Sequence, residues 1–284
     1  MRIGLVGAGQ RGRTWAEAAQ AALADRPDVR WHAVADADPD AAQSLADVLE
    51  ADARASTLDV LDGSDLVVVA VPVRDRALVA SEALRRGAHV FALWPPAASV
   101  VEVEAIGRLA EEAGREVAVA HALPAAPIVG GAGLATALVS LDLTGPFDTE
   151  GHPASWAEAP WPHVLAGACG LLGGLARSSI RRVDAEAVRD GGHRLQALLA
   201  SFRFRSGFYA HLSLRRAESP AVSFRLAGSG GEREVGTFGD EAEARALEIG
   251  GVLDAVRSGR PAPHGPMEAA DTLRLTERVL RRIA

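Results

Sequence analysis

A chain of 284 residues has the length of about two domains, and 48% hydrophobic with 24% charged residues is the composition of a soluble globular protein, neither disordered nor fibrous. The net charge of −7 argues against nucleic-acid partners, which need a basic face to displace counterions from phosphates. No apolar run approaches the roughly 20 residues of a membrane span, no signal-peptide pattern opens the chain, and the single cysteine, Cys169, excludes an intrachain disulfide and a thiolate metal cluster and reads as a core thiol; the expectation is a cytoplasmic protein with no membrane, nucleic-acid or metal partner.

Residues 1–120 alternate short apolar runs with helical patterns, which is the sign of βαβ units and a parallel sheet. The predicted strands are Ile3–Val6, Trp31–Ala35, Leu66–Val71, His89–Leu93 and Glu116–Ala120. Gly87 after Arg85-Arg86 reads as a helix stop, and Ser99 with Glu102 reads as a capping box for a helix ending at Gly114. Past His121 a loop rich in Ala, Pro and Gly leads to a strand-like run, Ala137–Leu143, and an irregular stretch to Trp161. A second domain begins there. Pro162 suits the first helical position, and Val164–Leu175 reads as a buried helix. The period-two runs Ser201–Phe204, Phe208–Leu214 and Val222–Leu226 read as antiparallel strands, the first two joined by a tight turn at Arg205-Ser206-Gly207. Gly228-Ser229-Gly230-Gly231 marks another turn, and Ala242–Arg257 and Met267–Ile283 read as closing helices. The predicted fold is α/β: a doubly wound Rossmann domain over 1–121, then an α+β domain over 122–284 with a mainly antiparallel, open-faced sheet, whose last helix can pack back on the first domain.

The loop Gly7-Ala8-Gly9-Gln10-Arg11-Gly12 follows the first strand and opens the helical pattern from Arg13 to Leu23. That is the context a dinucleotide fingerprint needs: Gly7 for the turn, Gly9 for backbone approach to the pyrophosphate, Gly12 for close packing of helix on strand, and free N–H groups at the helix start facing the phosphates. Asp36 ends the second strand about two dozen residues beyond Gly12, close to the roughly 20 expected of a ribose-binding acid. Its charge, with Asp38 and Asp40 nearby, would repel a 2′-phosphate, so NAD is expected over NADP; Arg11 reaching across the adenosine would weaken that preference, and NADP stays open. The competing reading is that the glycines serve only a tight turn and Asp36 caps the next segment.

Further along, Leu66-Val67-Val68-Val69-Ala70-Val71-Pro72, Ala83–Val90, His121 followed by Pro127, and Ala246–Gly259 together resemble the Gfo/Idh/MocA family of sugar and polyol oxidoreductases over essentially the whole chain. Gln10 and Arg11, as members of the glycine loop, are read as cofactor-binding, and the resemblance implies that Pro72 and Trp94 lie beside the nicotinamide. It also implies a catalytic lysine in a Glu-Lys-Pro motif, a proton-moving histidine on the second domain's first helix, and an aspartate four residues before it. This chain has Leu93-Trp94-Pro95 in place of the motif, contains no lysine at all, matches the histidine with His163, and has Ala159 in the aspartate position. Near a helix N-terminus, His163 would favour its neutral form and could accept a proton; Glu158 could orient it.

Trp94 reads either as packing that fills the room of the Glu-Lys pair or as a ring that stacks on a planar substrate or sugar face. Trp156 and Trp161 could form further walls, and His121, near the hinge, is the remaining candidate for touching ligand. Tyr209 and His211 read as ordinary strand residues. The expected function is hydride transfer between NAD(P) and a small carbonyl, imine or sugar-like substrate, with His163 catalytic and Trp94, His121, Trp156 and His163 facing substrate; the alternative is a nucleotide-binding protein without turnover. The open sheet face would be apolar and seek a partner, so a homodimer or larger homo-oligomer is expected.

Overall fold

The protein is described by a computed structural model, which covers residues 1–121, 123, 136–147, 161–191, 194–228, 231–235 and 240–284. It divides into two units: Met1–His121 with Ala242–Ala270, and Ala122–Glu241 with Asp271–Ala284.

In the first unit the chain runs β1 (Arg2–Val6), α1 (Gln10–Leu23), β2 (Arg30–Ala35), α2 (Pro39–Leu49), β3 (Asp52–Ala53), α3 (Thr57–Gly63), β4 (Leu66–Val69), α4 (Val73–Arg85), β5 (His89–Ala92), α5 (Val100–Ala113) and β6 (Val117–Val119). The strands pair in parallel in the order β3-β2-β1-β4-β5-β6, so the winding reverses between β1 and β4. All four residues of β4 are buried, which explains the unbroken apolar run: a strand covered by helices on both faces has no polar side to alternate with. The predicted punctuation holds. Ser99 Oγ accepts the Glu102 N–H at 3.3 Å and Gly114 closes α5 with φ 60°, while Gly87, at φ 80°, follows the end of α4.

Residues 242–270, placed in the second domain by the sequence reading, sit in the first unit. There α7 (Glu241–Ser258) contributes Ile249, Val252 and Leu253 to the same core as Ile3, Leu5, Trp15 and Phe91. Arg26 clasps Asp254 through two hydrogen bonds of 3.0 and 2.8 Å, tying the α7 surface to the end of α1. The second unit boundary falls inside α8 (Pro266–Ile283).

The second unit holds β7 (Thr136–Gly145), α6 (Trp161–Ala176), β8 (Ile180–Arg189), β9 (Leu195–Phe204), β10 (Tyr209–Arg216), β11 (Ala221–Gly228) and β12 (Gly231–Val235) in the order β12-β11-β7-β10-β9-β8. Pairing is antiparallel except between β7 and β10. One face, with Leu141, Leu198, Phe202, Leu212 and Phe224, packs into a core with Val164, Leu165, Ala168 and Leu172 of α6 and Leu275 and Val279 of α8. Cys169 is fully buried in that core, and burial pushes its thiol pKa up to about 12, so it is inert at neutral pH.

Three strands escaped the sequence reading: β3, only two residues long at the edge of the parallel sheet, and two strands of the second sheet. β8 buries only Val183 among alternating Arg, Asp and Glu, and β12 reads Gly-Glu-Arg-Glu-Val; both are edge strands with little apolar signal. The expected apolar open face is also corrected. Across the sheet the outward row is Asp184, Ser201, His211, Ser140 and Arg225, with Leu138, Leu199 and Val188 as exposed apolar side chains. Among the described residues no helix is long and apolar enough to cross a membrane, and no group of three His, Cys, Asp or Glu side chains could hold a metal ion.

Candidate functional site

At the carboxyl end of β1 the chain turns at Gly7, whose φ of +106° L side chains rarely adopt and where a Cβ would lie 2.6 Å from the carbonyl carbon of Ala70. At Gly12 a Cβ would lie 1.9 Å from the Gly7 oxygen, so only glycine lets α1 start so close to the turn. Gly9 differs from both. Its φ of −65° and ψ of −179° suit any residue, and a Cβ there would meet nothing within 4 Å. Gly9 is exposed and caps α1 with no side-chain hydrogen bond, and the first turn of α1 has no acidic residue. By contrast α2, α3 and α5 are capped by Asp38, Ser56 and Ser99. The N–H groups at the start of α1, including that of exposed Gln10, are therefore offered to a ligand, and open space above Gly9 lets a phosphate approach them.

Asp36 lies just past β2. Its Oδ2 accepts the Ala8 N–H at 2.6 Å and its Oδ1 accepts the Asp38 N–H at 2.9 Å, so the carboxylate anchors the glycine loop. A carboxylate has about four acceptor sites, which leaves room for ribose hydroxyls. Capping of α2 falls to Asp38, which accepts from the Asp40 and Ala41 N–H groups. Arg11 turns away from this half: its Nη2 donates to the Trp94 carbonyl at 2.6 Å. The loop, its anchoring acid and the exposed helix start fit a dinucleotide.

The other half of the sheet carries the segment where the lysine motif is missing. Trp94 is 2% exposed and is joined to Pro95 by a cis peptide bond. Its neighbouring carbonyls are held by Arg76, which the sequence reading did not single out. Arg76 is 3% exposed and donates to Val71 O at 2.8 Å, Leu93 O at 2.9 Å and Pro95 O at 2.6 Å. Among the described residues neither Arg76 nor Arg11 has an ion-pair partner. Burial, with the Arg11 charge adding, lowers the Arg76 pKa to about 9, and it remains a cation at neutral pH. Pro72 stands at the N-cap of α4, between β4 and Arg76.

His121 follows β6 and meets two residues no local pattern could have paired with it. Glu248 Oε1 accepts both the His121 backbone N–H at 2.7 Å and the ring Nδ1 at 2.8 Å. His264 stacks on the His121 ring with centroids 4.1 Å apart and planes at 18°, and its ring lies 6.5 Å from that of Trp94. Packing pulls the His121 pKa down, but the hydrogen bond and charge of Glu248, with the charge of Glu268, outweigh it and leave the value raised. Burial, then the His121 charge, push His264 down to about 4, so it is neutral at pH 7.

In the second unit His163 lies in the first turn of α6 and is half-buried, next to Trp161, which packs against the core. Trp156, Glu158, Ala159 and Pro127 lie outside the described residues. Glu248, His264 and Arg76 were missed because their roles come from contacts between distant segments; the only sequence signal was a buried-face arginine in the first turn after Pro72.

Residues 1–121 match the family model GFO_IDH_MocA, described as an oxidoreductase family with an NAD-binding Rossmann fold. UDP-N-acetylglucosamine 3-dehydrogenase GnnA from Acidithiobacillus ferrooxidans shares the fold with a TM-score of 0.81 at 22% identity, over 100% of this chain and 97% of that one. GenD2 from gentamicin A biosynthesis, solved with NAD, gives 0.82 at 19% identity, over 99% and 93% of the two chains. Biliverdin reductase from Synechocystis sp. PCC 6803, solved with biliverdin and NADP+, gives 0.70 at 17% identity, over 99% and 98%. No curated protein matches the chain in sequence.

Proposed function

We propose that the protein is an NAD(P)-dependent oxidoreductase of the Gfo/Idh/MocA type, favouring NAD, that reduces a small imine or activated carbonyl compound rather than oxidising ordinary sugars; residues 1–121 match that family's NAD-binding Rossmann model. The observation that carries this reading is the exposed, uncapped start of α1 beside Gly9, with the Asp36 carboxylate anchoring the loop from the end of β2. Bound there, the nicotinamide supplies or accepts a hydride. The protein's part is to hold the pyrophosphate on free N–H groups, to accept the ribose hydroxyls at Asp36, and to exclude water at the end of β5, where buried Trp94 fills apolar volume.

Substrate class follows from the missing lysine. Removing a hydride from a carbinol carbon needs a base and stabilisation of the developing oxyanion, and an acid–base group contributes roughly 10²- to 10⁴-fold. A bond that is already electrophilic depends on that help less. Solved relatives named for UDP-N-acetylglucosamine and biliverdin span sugar-like and conjugated planar substrates, and the absence of lysine favours the second kind of chemistry. His163 keeps the substrate-facing role that the family resemblance implies.

The test is titration of the purified protein with NADH and NADPH, followed by nicotinamide fluorescence, then a panel of cyclic imines, activated ketones, glucose and myo-inositol. The expected result is tighter binding of NADH and its oxidation by imines or activated ketones, reduced in His163→Ala. Failure to bind either nucleotide would overturn the reading. Oxidation of glucose or myo-inositol at ordinary enzymatic rates would overturn the substrate class, and tight binding with no turnover on any probe would leave a nucleotide-binding protein.

A further inference from the structure

The first unit brings together His121, Glu248 and His264, which lie far apart in sequence, within the half of the sheet opposite Asp36. In a doubly wound sheet a dinucleotide lies across the carboxyl ends of the strands at the point where the winding reverses, one nucleotide on each side. Here that point lies between β1 and β4. Asp36 at the end of β2 marks the adenosine side, so the nicotinamide side is that of β4, β5 and β6. β5 and β6 pair through Ala92 and Val119, and the residues just beyond them are Trp94 and His121.

His121 is built as an oriented acid–base group. A carboxylate only accepts, so Glu248 fixes the proton on Nδ1; the second bond, from the backbone N–H to the same oxygen, locks the ring relative to the strand end. Among the described residues no group bonds the other ring nitrogen, Nε2, which leaves it for a ligand on a side chain that is 41% exposed. His264 covers one face of the ring, and its own Nδ1 lies 2.6 Å from the Val119 carbonyl, which fixes its proton in the same way. His264 sits at φ +54°, a conformation uncommon for a residue with a side chain, so the stack is held at the expense of local backbone strain.

We propose that His121, oriented by Glu248, is the acid–base residue of this site. The assignment rests on the oxidoreductase reading and moves the proton from His163 to His121. In reduction the Nε2 proton of the imidazolium passes to the substrate oxygen or imine nitrogen as a hydride, carrying two electrons, reaches the carbon; the nicotinamide is oxidised and the ring is left neutral, to be reprotonated by solvent. In oxidation each transfer reverses. Glu248 stays ionised throughout. Among the described residues, the charged and titratable groups facing the ring are Glu248 from α7, His264 from the turn before α8 and Glu268 from the first turn of α8.

The experiment uses the full chain and reads the emission of bound NADH between about pH 5 and pH 9, together with turnover of 2-methyl-1-pyrroline as the imine probe. Wild type should show one inflection in emission. His121→Gln should abolish it and lower kcat by about 10²- to 10⁴-fold with little change in KM. Glu248→Gln keeps an oxygen to hold both N–H groups but removes the charge, and should move the inflection down by about one unit or more; a merely structural clasp would leave it in place. His163→Ala should leave the inflection where it is. An inflection that survives His121→Gln, that stays put in Glu248→Gln, or that vanishes in His163→Ala overturns the assignment whether or not the probe turns over. Failure of wild type to bind NADH overturns the oxidoreductase reading itself.

Discussion

Replacing Gly9 with alanine should separate binding from folding. The backbone there is extended and a Cβ meets nothing within 4 Å, so the methyl group costs no strain; the loss of glycine freedom in the unfolded chain, up to about 1 kcal/mol, is offset by alanine's poorer fit at a helix N-cap, and stability should stay within about 1 kcal/mol of wild type. The same methyl projects into the space through which a phosphate must approach the first N–H groups of α1. Losing one charge-assisted hydrogen bond costs about 1.5–3 kcal/mol, and at about 1.4 kcal/mol per factor of ten the Kd for NADH should rise by about 10- to 100-fold. Gly12→Ala is the contrast: its Cβ would lie 1.9 Å from the Gly7 oxygen, so it should lose about 1–3 kcal/mol of stability together with binding. Fluorescence titration with NADH and thermal melts of both variants provide the assay. If Gly9→Ala binds NADH as tightly as wild type, or loses binding only by losing its fold, the phosphate does not sit over Gly9 and the reasoning is wrong.

Asp36→Asn removes the charge from the ribose acid while keeping one acceptor for the loop, and should narrow or reverse the preference for NADH over NADPH; an unchanged ratio of the two Kd values would count against the assignment. Arg76→Met leaves the Val71, Leu93 and Pro95 carbonyls without their donor and should cost about 3 kcal/mol or more, read as a fall in Tm with weakened NADH binding. His264, with its pKa pushed down to about 4, contributes stability that is complete above the ordinary histidine value of about 6.5 and is lost as pH falls from there toward 4, by about 3 kcal/mol at most; His264→Asn, which tolerates the left-handed backbone, should flatten the acid side of a Tm-versus-pH profile. The raised pKa of His121 acts in the opposite sense, its contribution fading as pH rises above the ordinary value. Light scattering at micromolar protein should show a homodimer or larger assembly, and because the outward sheet face is rich in Ser, Arg, Asp and His, its dissociation should be salt-sensitive; a monomer would refute the expectation.

The parallel sheet was legible because each signal was local. A run such as Leu66–Val69, a cap such as Ser99 with Glu102 and a fingerprint such as Gly7 to Gly12 all complete their physics within a few residues. Period-two alternation similarly exposed the inner strands of the second sheet, where one face meets the core, but not β8, which buries only Val183, or β12, an edge strand whose sequence Gly-Glu-Arg-Glu-Val has little apolar signal. At the site the legible part was the glycine loop and the carboxylate of Asp36 beside it. Glu248 is separated from His121 by more than a hundred residues, so nothing short of the fold could pair them. Arg11 shows the same limit in reverse: its place in the fingerprint suggested the adenosine, whereas its guanidinium binds the carbonyl of Trp94.

The return of the chain to its first unit sets an order on biosynthesis. When residues 1–121 have left the ribosome, Ile249, Val252 and Leu253 have yet to be made, and the apolar surface of α1 and β1 that they cover stays open to water. Only after the second sheet has been synthesised does α7 arrive to close it and bring Arg26 its partner Asp254. A fragment cut after His121, though it contains the whole fingerprint, would therefore lack both part of its core and the carboxylate that orients its last histidine, and should aggregate during expression where the full chain does not.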